Sequence, residues 1–536
     1  MPPAERAAEL ERASRALEAA ALEVERLTAR LESEGRVEDA EILATGAMMA
    51  RDPQLGAGVA DLITRLGVDA SAAIGAAIEA HAAALSALDD PMLASRADDV
   101  RSLGRRAIRL AAAVAGGDDQ SAEPGTGETI VIAAELGPAD VAELSQAVNG
   151  VALAGGGVTA HAAIVARSLG LPMVVGVGED LLAVPEGEML IVDGDLGVVE
   201  VGPGRASLDR ASLAIDLRER AMARAVAEKG LSTITTDGHR VLVRGNVSGA
   251  AEVAAALGWG AEGIGLFRTE LGFLDARAWP TQSQHLEALA PALDLLRGKV
   301  ATVRLLDFGG DKTPPFLEGT PLRGVQLLLE APQALKAQLA AILEVAAGIE
   351  VKILVPMITE PAQMHEVRSM LQECVAEMEA AGTAPPMPPL GAMVEVPAAA
   401  TMAPEIAAAA DFLSVGTNDL SQLQLGIERS ASRRAPAHHP AVLRLIDMTV
   451  RAAHDRGITV SVCGESASDR LVMPLFVGLG VDELSVGASR VGAVRGWLRS
   501  LSYSSAREAV TTALCAASPE EVERAVEPLA RLLEAV

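Results

Sequence analysis

Between Val241 and Val486, eight short apolar runs recur at the spacing of β/α units: Val241–Val243, Gly263–Leu266, Thr302–Leu306, Val351–Pro356, Leu390–Val394, Phe412–Val415, Thr459–Val462 and Glu483–Val486. Eight strands separated by helices predict a (β/α)8 barrel. The residues at the ends of these runs point to function. Arg268 and Glu270, Arg304 and Asp307, Glu395, Asn418 and Asp419, and Cys463 all sit at C-terminal strand ends, which in such a barrel converge on the face where active sites lie. Chance placement of polar loop residues accounts for one or two of these, not for the set.

The rest of the chain reads as two further parts, as 536 residues allow. Leu10, Ala13, Leu17, Ala20, Val24, Leu27 and Leu31 repeat at heptad spacing, and helical periodicity continues, after a break at Gly35, through Ile42–Met49, Val59–Leu66, Ala72–Leu88 and Met92–Val114. Residues 1–115 are therefore expected to form a helical bundle. The Gly-, Pro- and acid-rich run Gly116–Gly127 reads as a linker. Short strand-like runs (Thr129–Ala133, Gly150–Leu153, Met173–Val177 and Met189–Val192) then predict a small α/β domain over 116–205. A charged helical segment over 206–230 would connect it to the barrel of 231–536.

Composition narrows the function. Aromatic residues are only 2% of the chain, so the core must be aliphatic. A net charge of -27 argues against nucleic acid and anionic membrane as partners and favours a neutral or basic protein. Three separated cysteines, Cys374, Cys463 and Cys515, imply no disulfide framework. The start of the chain lacks an apolar signal core and no apolar run reaches membrane-spanning length, which together predict a cytoplasmic protein.

Gly155-Gly156-Gly157 delivers His161 onto a helix start marked by the apolar spacing of Ile164, Val165 and Leu169. Free amides and the positive dipole end there would stabilise a phosphoryl group on the imidazole. Taken alone, the motif also fits an ordinary tight connection. In the barrel, Glu395 and Asp419 are two hard carboxylates of the kind that suit Mg2+, the alternative being a solvated acidic rim. Arg268, Arg304, Arg323 and Arg429, with Lys312, could surround a phosphorylated carboxylate, although any single arginine fits a surface ion pair as well. Cys463 reads equally as a proton donor to carbon or as a buried structural thiol.

The His161 motif, with Gly263–Glu270, Leu306–Lys312, Val394–Ala400, Gly416–Leu420 and Cys463-Gly464-Glu465 in the same order, resembles the phosphoenolpyruvate-utilising enzymes, and in particular the Enzyme I family of the sugar phosphotransferase system. The resemblance implies a phosphoenolpyruvate-protein phosphotransferase in which His161 carries the phosphoryl group. Arg268, Arg304, Arg323, Arg429, Lys312 and the Asn418 region would bind phosphoenolpyruvate, Glu395 and Asp419 would hold Mg2+, and Cys463 would protonate the enolate to pyruvate. The run Leu88–Arg101 is similar to the subdomain that binds the small histidine phosphocarrier protein HPr, and the family dimerises through the barrel.

The chain departs from that pattern in four places. Val158 and Ala160 stand where the family has Arg and Ser, and Gly137 replaces a threonine that orients the histidine, so weaker control of the imidazole tautomer is expected. The family begins with a short strand that this sequence lacks; either residues before Met1 supply it or the α/β domain tolerates its loss. A short loop leaves Arg323 and Gln326 as competing candidates for one phosphate-binding position, with Arg323 favoured because a loop deletion is easier than losing a charge. These departures also raise a second expectation: a regulatory or interaction protein that has kept the fold but lost turnover.

Overall fold

The computed structural model describes residues 1–33, 37–86, 91–114, 129–144, 148–157, 161–310, 312–346, 348–383, 386–427 and 435–534. The linker run, Val158, Ala160 and Arg429 lie outside the described residues. The chain divides into two compact units, Met1–Ala214 and Ile215–Val536.

The first unit opens with five helices: α1 (Pro3–Ser33), α2 (Val37–Ala50), α3 (Pro53–Leu66), α4 (Ala70–Ser86) and α5 (Pro91–Val114). The heptad stripe of α1 is the buried one: Ala13, Leu17, Ala20 and Val24 pack inward, as does Leu31. A core of alanines with Leu, Ile and Val follows from the aromatic-poor composition, since small side chains let helix axes approach closely. A second cluster joins Val24, Leu31 and Leu43 of the helices to Val141, Val151, Val165 and Leu171 of the α/β part, so the two share a core.

That α/β part contains β1 (Ile130–Ala133), α6 (Pro138–Leu144), β2 (Gly150–Leu153), α7 (His161–Leu169) and β3 (Met173–Val174), with a three-stranded parallel sheet in the order β1-β2-β3. The strand expected over Met173–Val177 is shorter, because Gly176 takes φ +70° and the amides of Gly176, Val177 and Gly178 turn back onto Gly155, Leu153 and Ala154 carbonyls. β4 (Leu190–Asp193) pairs not with this sheet but antiparallel with β5 (Val198–Val201), a strand that the apolar runs did not predict. The turn between them is set by Asp193, whose carboxylate accepts from the Asp195 and Leu196 amides. The charged helix α8 spans Arg205–Glu228, close to the expected connector.

The second unit is the expected barrel. β6 (Leu242–Val247), β7 (Gly263–Arg268), β8 (Val300–Arg304), β9 (Glu350–Val355), β10 (Leu390–Val394), β11 (Leu413–Val415), β12 (Val460–Val462) and β13 (Glu483–Gly487) are parallel and close on themselves through the β13–β6 pair. Each falls on one of the eight apolar runs. The strands are buried along almost their whole length because helices cover them outside and side chains fill the interior. The only described non-glycine residue with positive φ is Met357, at 55°, just beyond β9.

One buried group makes the barrel pH-sensitive. His285, on the helix Gln282–Leu293, is 1% exposed, packs edge-on against Phe273, and neither ring nitrogen has a hydrogen-bond partner among the described residues. Burial pushes it down from 6.5 to about 4. Above 6.5 the ring is neutral whether folded or not; between 6.5 and about 4 the unfolded chain binds a proton that the folded chain refuses, and stability falls. The loss approaches about 3 kcal/mol at the acid end. Urea midpoints of a His285→Leu variant are therefore expected to decline less than wild type across this window, and parallel curves would contradict the assignment.

Candidate functional site

The first unit presents His161 as the first residue of α7, after a loop in which Gly156 takes φ +84°. Its Nδ1 lies 3.2 Å from Asp99 Oδ2 on α5, without the alignment of a hydrogen bond. Asp98, Asp99, Glu135, Leu136 and Val175 line the small pocket around it. A carboxylate at Nδ1 favours a proton on that nitrogen and leaves the lone pair on Nε2. Asp99 itself sits 3.4 Å from Arg96.

Gly137 has a local explanation. A Cβ at that position would lie 2.4 Å from the Ser102 Cβ of α5. Ser102 donates to Asp140 at 2.6 Å, Asp140 also accepts from the Gly137 amide at 3.0 Å, and Arg106 ties Asp140 to Glu143 and Glu23. A threonine has no room where Ser102 packs; the group facing the imidazole instead comes from Asp99, one turn earlier on α5.

The second unit gathers its polar residues at the C-terminal end of the barrel. Arg304, the last residue of β8, is buried between Glu270 and Asp307, and Lys312 bridges the same two carboxylates at 2.9 and 3.0 Å. Two cations and two carboxylates thus close a buried ring. Burial alone would raise Asp307, but Arg304, Lys312 and Arg323 outweigh it and hold the carboxyl below its usual range. Beneath the ring, Gln338 donates to Thr269 Oγ1 at 3.0 Å and accepts from the Leu306 amide at 2.9 Å, fixing the loops after β7 and β8 relative to each other. Arg323 bonds Asp419 at 2.8 Å, while Gln326 is exposed on the next helix. Arg268, at the end of β7, makes no ion pair with a described residue, and its Nε is buried without a partner among them.

Glu395 follows β10 directly and is 1% exposed. Among the described residues its hydrogen bond comes from the Met357 amide at 2.8 Å, so the strained backbone at Met357 aims a donor at this carboxylate. Burial, with Asp307 and Asp419 nearby, pushes Glu395 up to about 8 despite Arg304. Gly416 lets the Thr417–Leu425 helix start against it, since a Cβ there would lie 2.8 Å from Glu395 Cβ. A buried carboxylate destabilised by neighbouring negative charge fits a divalent cation. Among the described residues no three potential ligands cluster, and two carboxylates leave positions for substrate oxygens and water, as Mg2+ prefers. Asn418 accepts from the Glu465 amide at 3.3 Å, which brings the loop after β12 alongside. Burial pushes the Cys463 thiol up to about 11, so it holds its proton at neutral pH.

The profile described as "PEP-utilising enzyme, PEP-binding domain" matches residues 222–503, more than half of the chain. This chain belongs to the PEP-utilising enzyme family. Profiles of the family's mobile domain and N-terminal region match residues 125–197 and 1–96. The chain is 35% identical to a phosphoenolpyruvate-protein phosphotransferase of Haloferax volcanii, over 90% of this chain and 86% of that protein. With a protein of the same description from Streptomyces coelicolor it shares 36% identity over 94% and 90%. A multiphosphoryl transfer protein of Xanthomonas campestris is 39% identical over 84% of this chain and 54% of its own length, so the chain spans about half of that longer relative.

Of the residues that the sequence singled out in this PEP-utilising chain, Arg268, Arg304, Lys312, Arg323, Glu395, Asn418, Asp419 and Cys463 share the barrel mouth, while His161 belongs to the other unit. Asp99 and Met357 were not foreseen as site residues. Glu270 and Asp307 were placed at the strand ends of the active face, but their pairing with Arg304 and Lys312 was not foreseen. Nothing in the spacing around Asp99 or Met357 marks either.

Proposed function

We propose that this chain is a phosphoenolpyruvate-protein phosphotransferase that takes the phosphoryl group of phosphoenolpyruvate onto His161 and passes it to a histidine of the phosphocarrier HPr. The barrel mouth carries this reading: Arg268, which pairs with no described carboxylate, shares it with Arg323 and with a buried carboxylate, Glu395, that burial and like charge destabilise. Arg268 and Arg323, with Arg429, would clamp the substrate's phosphoryl and carboxylate oxygens. Arg304 spends Nη2 on Glu270 and Asp307, leaving Nη1, whose neighbour is the Met393 sulfur at 3.6 Å. Lys312 and Asn418 would complete the substrate cradle.

Glu395 and Asp419 would hold Mg2+, which when bound neutralises charge on the transferring group. His161 Nε2 attacks phosphorus and the bond to the enol oxygen breaks, leaving an enolate that takes the Cys463 proton on its methylene carbon to give pyruvate. Fixed arginines suit this step because phosphoryl transfer is catalysed by position and charge rather than by covalent chemistry at the site. Among the described residues no helix is long and apolar enough to cross a membrane. A cytoplasmic location and a homodimer formed through the barrel belong to the same proposal.

Incubation with phosphoryl-labelled phosphoenolpyruvate and Mg2+ is expected to leave one acid-labile, base-stable label on the peptide carrying His161. Label on another residue, or pyruvate formed without label, would defeat the reading; an unlabelled but folded chain would favour the regulatory alternative. Arg268→Met is expected to raise KM for phosphoenolpyruvate roughly 10–150-fold, the worth of about 1.5–3 kcal/mol for hydrogen bonds to a charged group. An unchanged KM would remove Arg268 from the substrate site.

A further inference from the structure

We propose that Ser414 is a positioning residue for Cys463, turning its S–H towards the substrate and stabilising the thiolate that proton donation leaves behind. The inference rests on the reading of Cys463 as the acid. Ser414 is the middle residue of β11 and is fully buried inside the barrel. Its Oγ donates to Cys463 Sγ at 3.4 Å. The Cys463 backbone is pinned on both sides: its amide donates to Val415 O at 3.0 Å, and its carbonyl accepts from Asn246 Nδ2 at 3.0 Å. Asn246 is in turn held by Ser485. The backbone is therefore held, the packed side chains around it confine the sulfur, and the torsion of the S–H bond remains free.

Two groups compete for that torsion. Val415 O, 3.5 Å from Sγ, would draw the S–H bond onto the strand, away from the mouth. Ser414 approaches as a donor, occupies a sulfur lone pair and leaves the proton available. Leu266, Leu354, Met393 and Phe412 pack around the sulfur; the charges of Arg304 and Arg268 act on it from the mouth and that of Glu395 opposes them, while Ser414 supplies a direct side-chain hydrogen bond to sulfur. In the protonation step the electron pair of the enolate C=C takes the thiol proton, the S–H pair stays on sulfur, and the Ser414 hydrogen bond strengthens as the thiolate forms. Water entering after pyruvate leaves returns the proton. An interaction that grows in the transition state accelerates the step.

The test separates the two halves of a single turnover on the full chain. In Ser414→Ala, the acid-labile label on His161 is expected to form at the wild-type rate, while pyruvate release slows about 10–100-fold and gains a solvent deuterium isotope effect. Ser414→Thr, which returns the hydroxyl, restores release. A space-filling role for Ser414 predicts neither the isotope effect nor the rescue. Wild-type pyruvate release by Ser414→Ala, or equal slowing of label and release, would overturn the proposal. Cys463→Ala separates the underlying reading: undiminished release there would show that Cys463 is not the acid, whereas slow release from Cys463→Ala beside a wild-type-like Ser414→Ala would refute Ser414 alone.

Discussion

Replacing His161 by alanine is expected to lower phosphoryl transfer from phosphoenolpyruvate to protein by at least about 10³-fold, because the proposed nucleophile itself is removed. The substitution spares the fold. Alanine is the best helix former for the first turn of α7, and Asp99 keeps Arg96 as a counter-charge once the imidazole is gone. Substrate affinity should survive as well, since every proposed contact to phosphoenolpyruvate comes from the barrel. Acid-labile label measured after a quench, alongside equilibrium binding of phosphoenolpyruvate, separates the two quantities. A variant that binds but does not label supports His161 as acceptor; one that still labels to the wild-type extent eliminates it.

The second large effect concerns stability. Arg304→Met should cost the barrel about 3–5 kcal/mol, the usual consequence of stripping the partner from buried charges. Glu270 and Asp307 are fully buried, and each already has one oxygen, Oε2 and Oδ1, without a partner among the described residues. Lys312 alone then bridges both carboxylates. The loss should be read from urea midpoints near pH 7.5. Adding Glu270→Gln to Arg304→Met should recover part of the deficit, because the uncompensated charge goes with it. A double variant as unstable as the sum of the two singles would show that Arg304 and Glu270 do not act as a pair.

The barrel was legible in the sequence because its strands are covered on both faces. Such strands are largely apolar, so Gly263–Leu266 or Leu390–Val394 stand out, and the charged residues that follow these two runs, Arg268 and Glu395, mark strand ends facing the mouth. His161 was legible for a similar local reason, a glycine turn followed by helical apolar spacing. β5 was not legible: its residues alternate weakly, and its pairing is fixed by the Asp193 turn rather than by its own pattern. The expectation of weak tautomer control at His161 treated Gly137 as a loss; in three dimensions Ser102 fills that space and Asp99 faces the ring.

By itself, then, the sequence determined the elements and the chemical types at their ends: eight buried strands, a histidine at a helix start, and carboxylates, arginines and a cysteine at the barrel mouth. Only the tertiary structure decided which of these charges are already spent on one another. Arg304 and Lys312 are closed in a ring with Glu270 and Asp307, Arg323 is tied to Asp419, and Arg268 and Glu395 have no ion-pair partner among the described residues. The physical reason is that strand patterning is a property of neighbours in the chain, whereas ion pairing and desolvation also depend on residues dozens of positions apart, as Glu270 is from Arg304 and Arg323 from Asp419, which closure of the barrel brings to a few ångströms.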